Sequence, residues 1–262
     1  MRKFIQCVSN DNKVYSPLQT ITAIKQAGFD GVFLQWYNKE QDISQEEQLK
    51  LCESLGLEVP FVHLGYKTIN SIWDSESSEG DKLVQSYIND LEVCKKNGVD
   101  MVVMHLTSKL NAPLYNLTGV KRFKKIIDHA QKLNMRIAFE NTKIWGYLEF
   151  LFSYISNENI GICFDIGHCH CHFNNKFSWD IFENKIFALH LHDNDISDDQ
   201  HLLPFDGTIN WQQMMKNLKK ANYTGDIILE SIYSDNYTNI DINTFYNEAF
   251  KRAKEIEKML DN

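Results

Sequence analysis

Ile186–Trp211 reads IFALHLHDNDISDDQHLLPFDGTINW. Its first half is an apolar run that gathers His190, His192 and Asp193 at its end. Its second half is a polar loop that adds Asp199 and His201 before a glycine turn at Gly207 and a new helical segment. Imidazoles and carboxylates at this density suit a divalent metal, which takes neutral nitrogen and anionic oxygen donors from converging backbone positions. Strand, polar loop and helix is also the unit from which the rest of the chain is built.

Short runs rich in Val, Ile and Phe recur at Phe4–Ser9, Gly31–Trp36, Val59–Leu64, Asp100–Leu106, Arg136–Asn141, Ile160–Asp165, Ile186–His192 and Asp226–Glu230. Helical periodicity follows at Ser16–Ala27, Ser44–Leu55, Asp81–Asn97, Thr118–Leu133, Ile144–Ile155, Phe177–Glu183, Trp211–Ala221 and Ile242–Leu260. Ser16 precedes Pro17, a residue suited to a first helical position, and Ser44 stands three residues before Glu47 as in a capping box. Gly28, Gly56, Gly98 and Gly225 fall between a helical segment and the next strand, where a left-handed cap is expected. Eight strand–helix alternations predict a single α/β domain over residues 1–262, a (β/α)8 TIM barrel of parallel strands.

In such a barrel the C-terminal ends of all strands open on one face. His63 ends the third run, His105 the fourth, Glu140 the fifth, Asp165 the sixth, His190 the seventh and Glu230 the eighth. Asp165 and His168 (FDIGH) and Asp199 and His201 (DQH) add donors from loops on that face. One strand-end histidine is ordinarily a hydrogen-bonded structural residue, and one glutamate a helix cap. Nine donors expected at one rim point instead to a metal site. Cys169-His170-Cys171-His172 lacks the Cys-x2-Cys spacing of zinc sites and reads as a coincidence of composition. Trp36, Tyr37, Tyr66, Trp73, Trp145 and Tyr147 follow strand ends, where they would either wall a sugar or base or pack beneath loops.

Composition narrows the classes. The 262 residues are 43% hydrophobic and 24% charged, ordinary for a globular protein, with a net charge of −8. Arginine occurs only at Arg2, Arg122, Arg136 and Arg252, so a grip on nucleic acid would need a local basic patch against the overall field. The sequence has no Gly-x-Ser-x-Gly nucleophile, phosphate loop or dinucleotide fingerprint. No apolar run reaches the roughly 18–20 residues of a membrane span. No signal segment opens the chain, and its six cysteines read as reduced thiols; a cytoplasmic location is expected.

The motifs Phe139-Glu140-Asn141, Phe164-Asp165-Ile166-Gly167-His168, His190-Leu191-His192-Asp193-Asn194-Asp195 and the loop Asp199–Trp211 resemble those of the xylose isomerase-like superfamily. That superfamily holds sugar and sugar-phosphate isomerases and epimerases, and also the endonuclease IV enzymes. The resemblance runs from Gly28-Phe29-Asp30-Gly31 to Glu230, with Phe205-Asp206 where Gly-Glu is usual. For an epimerase it implies one divalent ion on Glu140, Asp165, His190 and Glu230. The two glutamates would be the acid/base pair around a metal-stabilised enediolate, with His168 on substrate. The ketose 3-epimerases also use a Glu and an Arg where this chain has Gly146 and Ile196. For endonuclease IV the resemblance implies three zinc ions on His63, His105, Glu140, Asp165, His168, His190, Asp199, His201 and Glu230, with Tyr66 matching a tyrosine of those enzymes. The arginine that they insert into DNA has no counterpart in Gln35–Gln41, and HLHDND replaces their HLND-Ser-Lys.

The favoured expectation is a metal-dependent isomerase or epimerase of a sugar or sugar phosphate, holding one to three zinc, manganese, magnesium or cobalt ions. Its substrate would meet His168, His192, Tyr66 and Trp36. The alternative is a trinuclear zinc phosphodiesterase acting on abasic DNA; only that reading implies a nucleic-acid partner. A third is a metal-stabilised barrel that binds without turnover. No membrane partner is expected, and a homo-oligomer is compatible with all three.

Overall fold

The structure, a computed structural model, describes residues 1–7, 15–36 and 43–261. The end of the first predicted strand and Tyr37 lie outside the described residues. Eight parallel strands form one sheet: β1 (Lys3–Cys7), β2 (Gly31–Trp36), β3 (Val62–Leu64), β4 (Met101–Met104), β5 (Arg136–Glu140), β6 (Ile160–Asp165), β7 (Ile186–His190) and β8 (Ile227–Leu229). The order β7-β6-β5-β4-β3-β2-β1-β8 brings β7 against β8. There the Leu191 amide donates to Ile228 and the Glu230 amide to Leu191, at 3.0 and 2.9 Å, and the sheet closes into a TIM barrel. Among the described residues, seven helices connect successive strands and an eighth follows β8: α1 (Pro17–Ala27), α2 (Gln45–Ser54), α3 (Glu79–Lys96), α4 (Leu117–Lys132), α5 (Gly146–Tyr154), α6 (Ile166–Phe173), α7 (Trp211–Lys220) and α8 (Ile242–Asp261).

Alternation along the strands sorts side chains into two cores. Phe4, Phe33, Phe61, Val103, Ala138, Cys163, Ala188 and Ile228 fill the barrel interior. Their neighbours, such as Ile5, Leu34, Val62, Phe139, Phe164 and Leu189, pack outward against the helices. The plug is lopsided, with phenylalanine on β1, on β2 and just before β3, and alanine or cysteine on β5, β6 and β7. The large rings fill the space that the small residues leave, so Phe33 stacks on His190 from across the barrel at 5.0 Å and 12°.

Two residues beyond each member of this plug stands a polar side chain on the same inner face: Gln6, Gln35, His63, His105, Glu140, Asp165, His190 and Glu230. The barrel thus ends in an eight-membered polar ring above an apolar floor.

Ser16 and Ser44 form the expected capping boxes, with Gln19 and Glu47 reaching back. Gly28, Gly56 and Gly98 take positive φ as expected. Gly225 does not. Asn222 at φ 57° turns the chain after α7, and Gly225 is instead pressed against the Tyr223 ring, where a Cβ would lie 2.6 Å from the hydroxyl. The sixth helix also corrects the sequence reading: residues 177–183 form turns, and α6 starts directly after β6 at Ile166. Asp165, read as a strand end, doubles as the N-cap, accepting the His168 amide at 2.7 Å, so no loop separates strand from helix. Among the described residues no helix is long and apolar enough to cross a membrane.

Candidate metal centre

The polar ring, the first turn of α6 and the loop after β7 deliver ten titratable side chains to one point. Glu140 is the hub. Its Oε2 lies 3.1 Å from His63 Nε2, 3.3 Å from His105 Nε2 and 3.1 Å from His190 Nδ1, and its Oε1 lies 3.1 Å from His168 Nδ1. Glu230 Oε2 reaches the same His190 Nδ1 at 3.3 Å, and Asp165 Oδ2 lies 3.9 Å from it. Asp199 reaches His168 Nε2 at 3.0 Å and His201 Nε2 at 3.6 Å. All nine donors expected from the sequence therefore meet in one cluster.

The last two arrive on a loop with its own anchor. The backbones of Asp193 and Leu202 exchange hydrogen bonds at 2.9 Å, folding 194–201 back over the barrel mouth. Asp193, grouped with metal-like donors in the sequence, is instead the loop's fastener. Its carboxylate accepts from the amides of Asn194, Phe205 and Ile209 and from the Trp211 indole at 2.9, 2.9, 3.2 and 2.7 Å. Ile196 and His201 hold positive φ of 74° and 48°, conformations that cost energy for residues with a Cβ and recur at functional sites.

His192, predicted to touch substrate, is fully buried. Its Nε2 lies 3.2 Å from Asp165 Oδ1, and its ring stacks on His201 at 4.1 Å and 20°. It sits against Gly167, which leaves room for the imidazole only because it has no side chain. Tyr66 stacks on His105 at 4.0 Å and borders the cluster. Trp36 does not. It follows Gln35 on the outward face of β2, pairs with Leu64 and is buried between strands and helices, so its predicted place in the cup is corrected. Trp73 is fully buried with its indole donating to Leu106, the Tyr147 hydroxyl donates to Pro113, and Trp145 packs on Phe177 and Phe182. These three pack beneath loops. His170 is held by Asn175 and Thr208 at 3.0 and 2.9 Å, tying α6 to the fastened loop. Asn141 is a participant the sequence reading passed over. Its amide exchanges hydrogen bonds with the Asp165 backbone at 2.8 and 2.7 Å, locking the ends of β5 and β6 together.

Electrostatics divide the two glutamates. Burial would raise Glu140, but His105, His190 and His168 outweigh it and hold the carboxyl well below its ordinary range. Burial raises Glu230 well above that range, and Glu140 and Asp165 push it further. Burial also lowers His105 and His190, the direction that favours metal ligation. His168 is the exception, held well above its usual value, against burial, by Asp165 and Asp199.

These residues fit a divalent ion. His190 is fully buried, yet neither ring nitrogen makes an aligned hydrogen bond, and Glu230 Oε2 and Asp199 Oδ1 are likewise buried without one. Unpaired nitrogen and oxygen donors facing each other at 3–4 Å are costly unless a cation lies among them. Four overlapping groups have ligand atoms within 4.8 Å of one another: His63–Glu140–His190, Glu140–Asp165–His168, Asp165–His190–Glu230 and His192–His201–Glu230.

A family model described as the xylose isomerase-like TIM barrel matches residues 21–259. The chain belongs to this family. A protein of Sinorhizobium fredii, y4fM, is 28% identical over 226 residues, 77% of this chain and 68% of that protein. Among solved structures, a D-tagatose 3-epimerase-like protein superposes with a TM-score of 0.77 at 21% identity, covering 98% of each chain. D-psicose 3-epimerase with D-tagatose from Clostridium cellulolyticum H10 gives 0.76 at 14% identity over 99% of each. The IOLI protein with a bound zinc atom gives 0.76 at 14% identity, covering 100% of this chain and 98% of that one. At these identities the likeness establishes the shared fold.

Proposed function

We propose that this member of the xylose isomerase-like family is a divalent-metal-dependent sugar isomerase or epimerase with Glu140 and Glu230 as its acid/base pair. The observation that carries the reading is the approach of both buried carboxylates to one nitrogen, His190 Nδ1, from β5 and from the end of β8. Two carboxyl groups held in opposite protonation tendencies across one small space suit a reaction that removes a proton and returns one. The sugar 3-epimerases among the structural neighbours support the substrate class.

Glu140, Asp165, His190 and Glu230 would hold the ion, which when bound supplies Lewis-acid polarisation of a carbonyl and its adjacent hydroxyl. Zinc or manganese suits this mixed imidazole and carboxylate set. Glu140 then takes or gives a proton at the carbon beside that carbonyl, and Glu230 does so on the opposite face. Asp165 is kept in place by His192 and by the α6 amide that it caps. The apolar floor of Phe33 and Phe61 excludes water from below.

Deuterium uptake from D2O into a panel of aldoses, ketoses and their phosphates, followed by proton NMR, tests the reading. Exchange in the metal-loaded protein and its loss in Glu140→Gln are expected. Loaded protein that exchanges no sugar proton but cleaves an abasic oligonucleotide would overturn it. The second reading, a multizinc phosphodiesterase, is favoured by the convergence of His63, His105, His168, Asp199 and His201, more donors than one ion requires. About three zinc per chain, falling in His201→Ala, would support it.

A further inference from the structure

Six members of the polar ring, on β3 to β8, are histidine or carboxylate. The other two, Gln6 on β1 and Gln35 on β2, are neutral amides side by side. Register places them against the acidic end of the cluster. Ile5 pairs with Leu229, so Gln6 lies beside Glu230, and Gln35 pairs with His63. The Gln35 amide donates to Glu230 Oε1 at a long 3.5 Å. Gln6 is 2% exposed, and its Oε1 has no hydrogen-bond donor among the described residues. It stands on the inner face, two residues beyond the plug residue Phe4.

A buried carbonyl oxygen without a donor is costly, and leucine in its place would continue the plug beneath. An amide there is suited to a visiting group. Its geometry offers an acceptor to a hydroxyl hydrogen and, through Nε2, a donor to the hydroxyl oxygen. Phosphate oxygens only accept, so they could satisfy the Nε2 end of the amide and leave Oε1 without a donor, whereas a hydroxyl satisfies both. Neither ring position on β1 or β2 carries the lysine or arginine that phosphate binding favours.

We infer that Gln6, beside Gln35, forms a hydroxyl-reading wall next to Glu230, and that the part of the substrate over β1 and β2 is an unphosphorylated polyol. This rests on the isomerase reading above and adds which kind of sugar the site takes. Gln6 is a specificity residue: it touches a hydroxyl of the substrate and moves no proton itself.

Gln6→Leu, with Gln6→Glu beside it, tests the assignment in the metal-loaded protein. Metal content and the Tm of the sugar-free protein are expected to stay level or rise in Gln6→Leu, because an unpaired buried acceptor has been removed. KM for the free sugar that wild type turns over should rise about 10-fold or more, with kcat changed less, as when one buried hydroxyl loses its partner. Wild type should bind free sugars more tightly than their phosphates by calorimetry. Unchanged KM in Gln6→Leu, a Tm lower by 5 °C or more on the scale of about 2 kcal/mol, or tighter binding of the phosphates would each overturn this inference while leaving proton exchange by Glu140 untouched. Loss of exchange for every sugar in wild type would overturn the isomerase reading and this inference together.

Discussion

Gly167→Ala adds one methyl group at a helical position with ordinary φ, where alanine would normally stabilise by about 1 kcal/mol. Here the new Cβ would lie 2.5 Å from His192 Nδ1 and nearer still to Cε1 and Nε2. The imidazole must retreat by about 1.6 Å or more to bring Cε1 from 1.9 Å to contact at roughly 3.5–4.0 Å. It has nowhere to go, being fully buried, stacked on His201 at 4.1 Å and held to Asp165 at 3.2 Å. Overpacking costs about 1–3 kcal/mol, and a broken hydrogen bond to a charged group about 1.5–3 kcal/mol. Set against the helix gain, the net loss is about 1.5–5 kcal/mol, a fall in Tm of roughly 3–20 °C for a chain of this size. The same displacement disturbs Asp165 and His201, so bound metal per chain should fall with Tm. Calorimetric scanning and elemental mass spectrometry on chelator-free preparations read both. A variant with wild-type Tm and full metal content would refute the placement of His192 against Gly167 and its role in holding Asp165.

Three further outcomes are expected. Arg122→Met should lower stability by about 3–5 kcal/mol in denaturant titrations, because the guanidinium bonds the carbonyls of Ser71, Ile72, Asp74 and Ser77 and the Asp81 carboxylate, pinning the 3-10 turn at Ile69–Ile72 to α4. Asp90 on α3 is pushed up to about 6 by burial. Its folded pKa exceeds its unfolded one, so its contribution is fully present below about pH 4 and is lost as pH rises through 6. Asp90→Asn should therefore stabilise at pH 8 by about 1–2 kcal/mol and make no difference at pH 3.5. Chelator-stripped protein should gain about 2.7 kcal/mol on adding zinc or manganese at 100-fold over its Kd, and Asp165→Asn should shrink that gain; a Tm indifferent to both ions would count against the metal centre.

The alternation of eight apolar runs with helical periods is a local signal, so the sequence by itself determined the barrel and, with it, the shared rim on which nine donors from His63 to Glu230 would stand. Capping at Ser16 and Ser44 was equally legible, because a cap is decided within four residues. Strand phase was not. Strands buried on both faces are apolar throughout, and nothing in a run such as GVFLQW says which set of alternate residues turns inward until the sheet closes. Closure put Gln6 and Gln35 in the ring and turned Trp36 out of it. The sixth helix eluded the periodicity because it starts directly after the strand-end Asp165, its N-cap, and carries a His-Cys-His-Cys run with no clear polar face. The contacts of His192 and Asp193 depend on a loop that folds back nine residues later and on a glycine in the first turn of α6. Tertiary structure alone decided them, because partners so far apart in sequence leave no local pattern to read.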